Sequence, residues 1–193
     1  MTREVGYLTV EAVTLKYTNT DKAILSMDDN DGRIDTLHIK NCIFDGQEKD
    51  QAALMSDSTG FIAGTITITG TTFKDTWKDA PTIYIGANVA NYRTGRAHLR
   101  GVTFTSNTLS NNKGGVVIRG HSTLHTTAGT FTGNTMTSWK AGGTKLDAAI
   151  VISQIKAVTF STNTIQNVPA LGTQGLGCAA MMYCTAAWTI TAA

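Results

Sequence analysis

The side chains that could do chemistry fall into a few groups along the 193 residues. His98, Arg100, His125 and Lys156 recur at spacings that set them on neighbouring repeats, which predicts a basic stripe able to hold an acidic glycan. Two imidazoles could also grip a metal ion, but no third ligand accompanies them. Asp28-Asp29-Asn30-Asp31-Gly32, followed by Asp35, has the oxygen-rich turn of a calcium loop without its closing Glu. Asp29, Asp31 and Asp35 are the ligands it would offer to Ca²⁺, the one cofactor the sequence suggests. Trp139, with Lys140 and Lys145, stands in a long segment that could stack on sugar rings or anchor a loop on the body. Glycoside cleavage needs two carboxylates about 5 to 10 Å apart. Beyond Asp79 only Asp147 is acidic, so the expectation is no catalytic residue.

The elements that carry these groups follow from composition and spacing. Charged residues are 16% and hydrophobic residues 41%, and the gap is filled largely by 33 Thr. That profile excludes a helical bundle or a disordered chain and suits an all-β protein. A net charge of +2 gives no argument for nucleic acid. No apolar run reaches the roughly 18 residues that a membrane-spanning helix requires. The opening MTREVGYLTVEAVTL lacks a signal-peptide core. Cys42 reads as a small buried hydrophobe, and Cys178 and Cys184 could bridge in an oxidising compartment.

A repeat organises the chain. Leu15, Phe44, Phe73, Phe104, Phe131, Phe160 and Trp188 follow one another at intervals of 29, 29, 31, 27, 29 and 28. Apolar columns precede each anchor in pairs spaced by two, the alternation of a half-buried strand. Three residues before the anchor stand Ala12, Asn41, Gly70, Gly101, Ala128, Ala157 and Thr185, which predict a tight corner. Three after it, Asn107, Asn134 and Asn163 predict a stacked ladder, with Thr18, Gln47, Thr76 and Thr191 in the same column. Such short strands at this period predict a right-handed parallel β-helix, a single-stranded solenoid of about seven coils of about 29 residues, filling residues 1–193 as one domain or as a piece of a longer β-helix. The anchors should form one buried aromatic row. Thr103 and Thr105, Thr130 and Thr132, and Thr159 and Ser161 should stack outward as Thr-x-Thr pairs, in a column that Lys16, Asp45 and Lys74 interrupt. Open strand edges at the ends of the solenoid predict self-association.

Phe104-Thr105-Ser106-Asn107 followed by Gly114-Gly115-Val116-Val117-Ile118 resembles the FxxN and GGA(I/L/V) repeats of the chlamydial polymorphic outer-membrane proteins and related pectin-lyase-like surface proteins. Phe131 to Asn134 and Phe160 to Asn163 repeat its first half, and Gly142-Gly143 loosely echoes the second. The resemblance implies a right-handed β-helix displayed outside the cell for adhesion, with no catalytic residues. Asn19-Thr20-Asp21, Asp28-Asp29 and Gly120-His121 look like fragments of a polygalacturonase set, but their spacing does not bring the carboxylates onto one column. The Thr-x-Thr pairs resemble those of β-helical ice-binding proteins. The reading is therefore a non-catalytic surface or structural module, extracellular or surface-displayed, for glycan adhesion or self-assembly. A polysaccharide-degrading enzyme, including a phage tailspike-type depolymerase, and an ice-binding protein are the alternatives.

Overall fold

The computed structural model describes residues 3–17, 23–26, 32–49, 52–56, 61–77, 81–85, 99–119, 128–140, 149–153, 155, 157–168, 180–183 and 189–191. Among these there is no helix, and every strand pairing is parallel. Sheet A has seven strands: β1 (Arg3–Glu11), β4 (Gly32–Lys40), β7 (Phe61–Thr69), β10 (Gly101–Thr105), β13 (Ala128–Thr132), β16 (Ala157–Ser161) and β19 (Thr189–Thr191). Sheet B has six: β2 (Thr14–Lys16), β5 (Ile43–Lys49), β8 (Thr72–Thr76), β11 (Thr108–Asn112), β14 (Thr135–Trp139) and β17 (Thr164–Ile165). Sheet C also has six: β3 (Leu25–Ser26), β6 (Leu54–Ser56), β9 (Ile83–Ile85), β12 (Val116–Arg119), β15 (Ile150–Ser153) and β18 (Ala180–Tyr183). The chain visits the sheets in the order A, B, C and then repeats, which makes a parallel β-solenoid. Its core is the inward column of each strand, led by fully buried Leu37, Ile39, Phe44, Leu54, Ile66, Phe73, Phe104, Ile118 and Phe131. Each such side chain contributes about 1.5–3 kcal/mol.

The corner between sheets A and B is a single left-handed residue. Ala12, Asn41, Gly70, Ser106, Gly133 and Thr162 all have φ between 50° and 67°. Their separations are 29, 29, 36, 27 and 29, so one coil is longer than the rest. The predicted corner is right at Ala12, Asn41 and Gly70. It fails at Gly101, Ala128 and Ala157, which open strands β10, β13 and β16.

The long coil also breaks the expected aromatic row in two. Phe44 pairs with Phe73 in sheet B, their rings stacked at 4.9 Å. Phe104, Phe131 and Phe160 lie in sheet A, their centroids 6.2 and 6.4 Å apart. Phe73 has Leu109 as its coil neighbour, and Phe104 has Ile68. The reason is volume. Each of these coils puts one Phe and one aliphatic residue five positions apart across the corner, as Ile39 and Phe44 or Phe104 and Leu109, and the core accepts either order.

The asparagine ladder forms just past this corner. Asn107 N–H donates to Asn134 Oδ1 at 3.0 Å, and Asn134 N–H donates to Asn163 Oδ1 at 3.0 Å. The Nδ2 groups of Asn107, Asn134 and Asn163 donate back to the carbonyls of Ile68, Phe104 and Phe131. Asn134 also donates through Nδ2 to Asn163 Oδ1 and accepts from Asn107 Nδ2, so all four of its amide bonds are made in a fully buried site. The ladder continues into Thr71, whose N–H donates to Asn107 Oδ1, and Cys42, whose N–H reaches Thr71 Oγ1. Thr76, expected in this column, stands instead at the end of sheet B, where its N–H donates to Asn112 Oδ1.

The Gly114-Gly115 pair has a backbone reason. A Cβ on Gly115 would stand 1.9 Å from the carbonyl oxygen of Ala149, one coil on. Only glycine lets the coils close at this entry to sheet C.

Candidate functional site

Sheet B ends at a second corner, and two tryptophans lie across it. Trp77 follows β8, and its indole Nε1 donates to the carbonyl of Asn111 in the next coil at 3.2 Å. Trp139 closes β14, and its Nε1 donates to the carbonyl of Gln166 in the next coil at 3.0 Å. Both rings are half-buried and are therefore held against the stack with part of their surface open. An indole fixed in this way presents an apolar face at little further entropic cost.

Lysines share the corner. Trp77 N–H donates to Lys49 O, Lys113 N–H to Thr76 O and Lys140 N–H to Asn112 O. Trp77, Lys113 and Lys140 consequently occupy one column on three successive coils. Lys140 Nζ lies 4.0 Å from the Trp77 ring centroid, a cation–π contact across two coil spacings. Asn111 Nδ2 donates to Asp75 Oδ1 at 2.7 Å and braces the residue at each turn, and Asp75 and Asn111 both have left-handed backbone, with φ of 57° and 53°.

Beside this column is an ion-paired cluster. Lys74 Nζ lies 3.1 Å from Asp45 and 3.5 Å from Asp75. Burial works against ionisation of Asp45, but the Gln47 N–H donated to its carboxylate and the Lys74 ammonium outweigh it and hold the carboxyl below its ordinary range. The hydrogen bond to Asp45, with the charge of the same carboxylate, raises Lys74 above its ordinary value.

Of the predicted basic stripe, only Arg100 falls among the described residues. His98, His125 and Lys156 lie outside the described residues. Arg100 is exposed just before β10, and its N–H donates to Gly64 O. Thr69, expected as its neighbour on the coil before, pairs instead with Thr105, and on its other side with Lys40 as the spacing predicts. Trp139 is placed at the far end of sheet B, so the two described members of the expected glycan site belong to different sheets. The segment 132–147 that carries Trp139 is not simply a long loop, because β14 runs through it. Of the calcium ligands, Asp29 and Asp31 lie outside the described residues, as do Cys178, Cys184, Trp188 and Lys145. Asp35 is the single residue of β4 at a bulge against β7, with the pairing shifting between Ile34 and Thr36. Among the described residues no three metal-ligating side chains converge.

The sequence reading missed Trp77 and Lys113. The signal was the repeated dipeptide Trp77-Lys78 and Trp139-Lys140, one at the end of each of two sheet B strands. Comparison of the chain with protein-family models, with curated proteins and with solved structures gives no match.

Proposed function

We propose that the protein is a non-catalytic β-solenoid module, displayed at a surface, that adheres to acidic polysaccharide along the second corner. The observation that carries this reading is the column of Trp77, Lys113 and Lys140 beside Trp139, with both indoles latched to the stack. Sugar rings offer C–H faces that pack on indole, and the carboxylates or sulfates of an acidic glycan would meet the lysines. Repetition on successive coils suits a polymer, since weak contacts at each coil add along one chain. The Phe-x-x-Asn and Gly-Gly repeats, which resemble those of β-helical surface adhesins, support display as the setting. Stacking of copies through the end strands of the solenoid is the companion proposal and would lengthen the adhesive surface.

The test is affinity electrophoresis or calorimetry with uronic-acid, sulfated and neutral polysaccharides. Binding to the acidic polymers should weaken as salt rises, and Trp77→Ala and Lys140→Ala should each reduce it several-fold. Equal binding to neutral polymers, or none to any, would overturn the reading. Release of reducing ends from any of them would overturn its non-catalytic part.

A further inference from the structure

The outer face of sheet A is a second surface of different character. From β7 to β16 the four strands pair in unbroken register, Thr65 to Thr69 against Gly101 to Thr105, Ala128 to Thr132 and Ala157 to Ser161. The inward residues of this block, Ile66, Ile68, Val102, Phe104, Phe131 and Val158, are buried, so the alternate residues face out. One outward column is Thr67, Thr103, Thr130 and Thr159; the next is Thr69, Thr105, Thr132 and Ser161. The third is Thr65, Gly101, Ala128 and Ala157, which stays low beside them. No charged side chain falls in this block. The residues that the sequence reading had interrupting the Thr-x-Thr pairs, Lys16, Asp45 and Lys74, belong to sheet B. The true predecessor of the pairs is Thr67 with Thr69.

We infer that this face binds ice, by ordering water on a lattice of threonine hydroxyls and methyls. Neighbouring coils stand about 4.8 Å apart and alternate residues of one strand about 6.7 Å apart. Those are two nearly perpendicular repeats of the same order as the oxygen spacings on a face of hexagonal ice. A threonine in a strand has few χ1 choices, so its hydroxyl and methyl are already placed. The hydroxyls are tied from coil to coil: Thr105 Oγ1 donates to Thr69 Oγ1 at 3.1 Å, and Thr132 Oγ1 and Ser161 Oγ are 3.2 Å apart. Methyls between them favour a cage of ordered water over the disordered shell of a charged group. The outward residues of this four-strand block include no aromatic ring on which a sugar could stack. Each single contact is weak, and an extended lattice is the partner that uses all of them together.

Strand preference for Thr does not alone produce this pattern. The outward side of sheet B, built from strands of the same kind, carries Lys16, Asp45 and Lys74 in one column, and its register slips between Asp45 and Lys49 and again after Leu109.

The experiment is freezing of the folded protein in a nanolitre osmometer, with the shape of the growing crystal recorded. Thermal hysteresis with faceted crystals is expected. Thr103→Tyr with Thr130→Tyr should abolish both, because the rings stand above the plane, while far-UV circular dichroism and the melting midpoint stay close to those of the parent, since strands accept Tyr. Lys140→Ala, on the other surface, should change neither. Round crystals and no hysteresis for the folded parent at millimolar concentration would overturn the inference. So would a double variant whose only change is loss of a concentration-dependent dimer, which would make the face a contact between copies. Loss of glycan binding by Lys140→Ala with hysteresis intact keeps the two proposals separable.

Discussion

The coils before the long turn and the coils after it solve the same packing problem in opposite order. In the earlier ones the aromatic ring follows the corner, as in Phe44 and Phe73, and the aliphatic Ile39 and Ile68 precede it. In the later ones Phe104, Phe131 and Phe160 precede the corner, and Leu109, Met136 and Ile165 follow it. The corner ladder changes with them: Cys42 and Thr71 stand where Asn107, Asn134 and Asn163 stand later. The difference teaches that a solenoid fixes the volume in each layer and the hydrogen bonding at each corner, and leaves open which side chain supplies either.

The largest test of that equivalence is in the core. Phe73→Ala and Phe104→Ala should each destabilise by about 3–5 kcal/mol, because both rings are fully buried in a layer that cannot collapse. The sharper version moves the ring across the corner. Ile68→Phe alone should overpack by about 1–3 kcal/mol, and adding Phe73→Ile should recover most of that, since the volume of the layer is restored. Chemical denaturation of the three proteins measures it. A double variant as unstable as the sum of its parts would mean that the two columns are not interchangeable.

The ladder gives a smaller effect with the same logic. Asn134→Ala would strand the Asn107 N–H in a fully buried site and remove the second bond to the Phe104 carbonyl, at about 1–3 kcal/mol for the donor left unpaired. Cys42→Ala removes only the weak thiol contacts to the carbonyls of Val10 and Lys40, at 3.3 and 3.1 Å, and should cost under about 1 kcal/mol. Melting curves of the two variants would show the early corner to be the weaker one. Equal losses would show that the thiol is as good a rung as the amide.

The fold was legible because strand alternation is a local signal repeated from coil to coil, and asparagines on three successive coils reinforce it. What the anchors hid was register. Aligning Phe73 with Phe104 implies a coil of 31 residues, whereas the hydrogen-bonded partners Thr71 and Asn107 lie 36 apart. The five-residue discrepancy is the distance across the corner between a layer's aromatic and aliphatic members. The fixed point of each coil is the left-handed corner and not the aromatic, and Ala12, Ser106 and Thr162 do not announce a left-handed backbone as Gly70 and Gly133 do. The same slip carried the outward columns with it. It set Arg100 beside Thr69, whose partner is Thr105, and broke the threonine face with the charges of sheet B. Of the corner site, Trp139 was legible as a side chain that could stack on a sugar. Its place beside the column of Trp77, Lys113 and Lys140 was not, because that depends on the register of sheet B.

The smallest expected effect lies on the charged part of sheet B and separates it by pH from the uncharged threonine block of β7, β10, β13 and β16 in sheet A. Asp45 has its carboxyl held below the ordinary value of 3.8 by Gln47 N–H and Lys74, in spite of burial. A carboxyl whose value is lowered on folding contributes stability above its unfolded value, and that contribution is lost as pH falls through the lower folded one. Lys74 is raised above 10.5, so its share is present below that pH and fades as pH rises through the higher folded value. Lys74 is 37% exposed, which screens the pair and keeps its worth within about 1 kcal/mol. Asp45→Asn should therefore lower stability slightly at pH 7, and the gap to the parent should close below pH 3.8 as the parent's own carboxyl takes up its proton. Thr103→Val, in the block without charges, should show the same small difference at every pH. Denaturation midpoints of the three proteins, followed from pH 7 downward through 3.8, decide it. A gap for Asp45→Asn that does not narrow at all as pH falls below 3.8 would mean that the carboxylate's neighbours value its shape and not its charge.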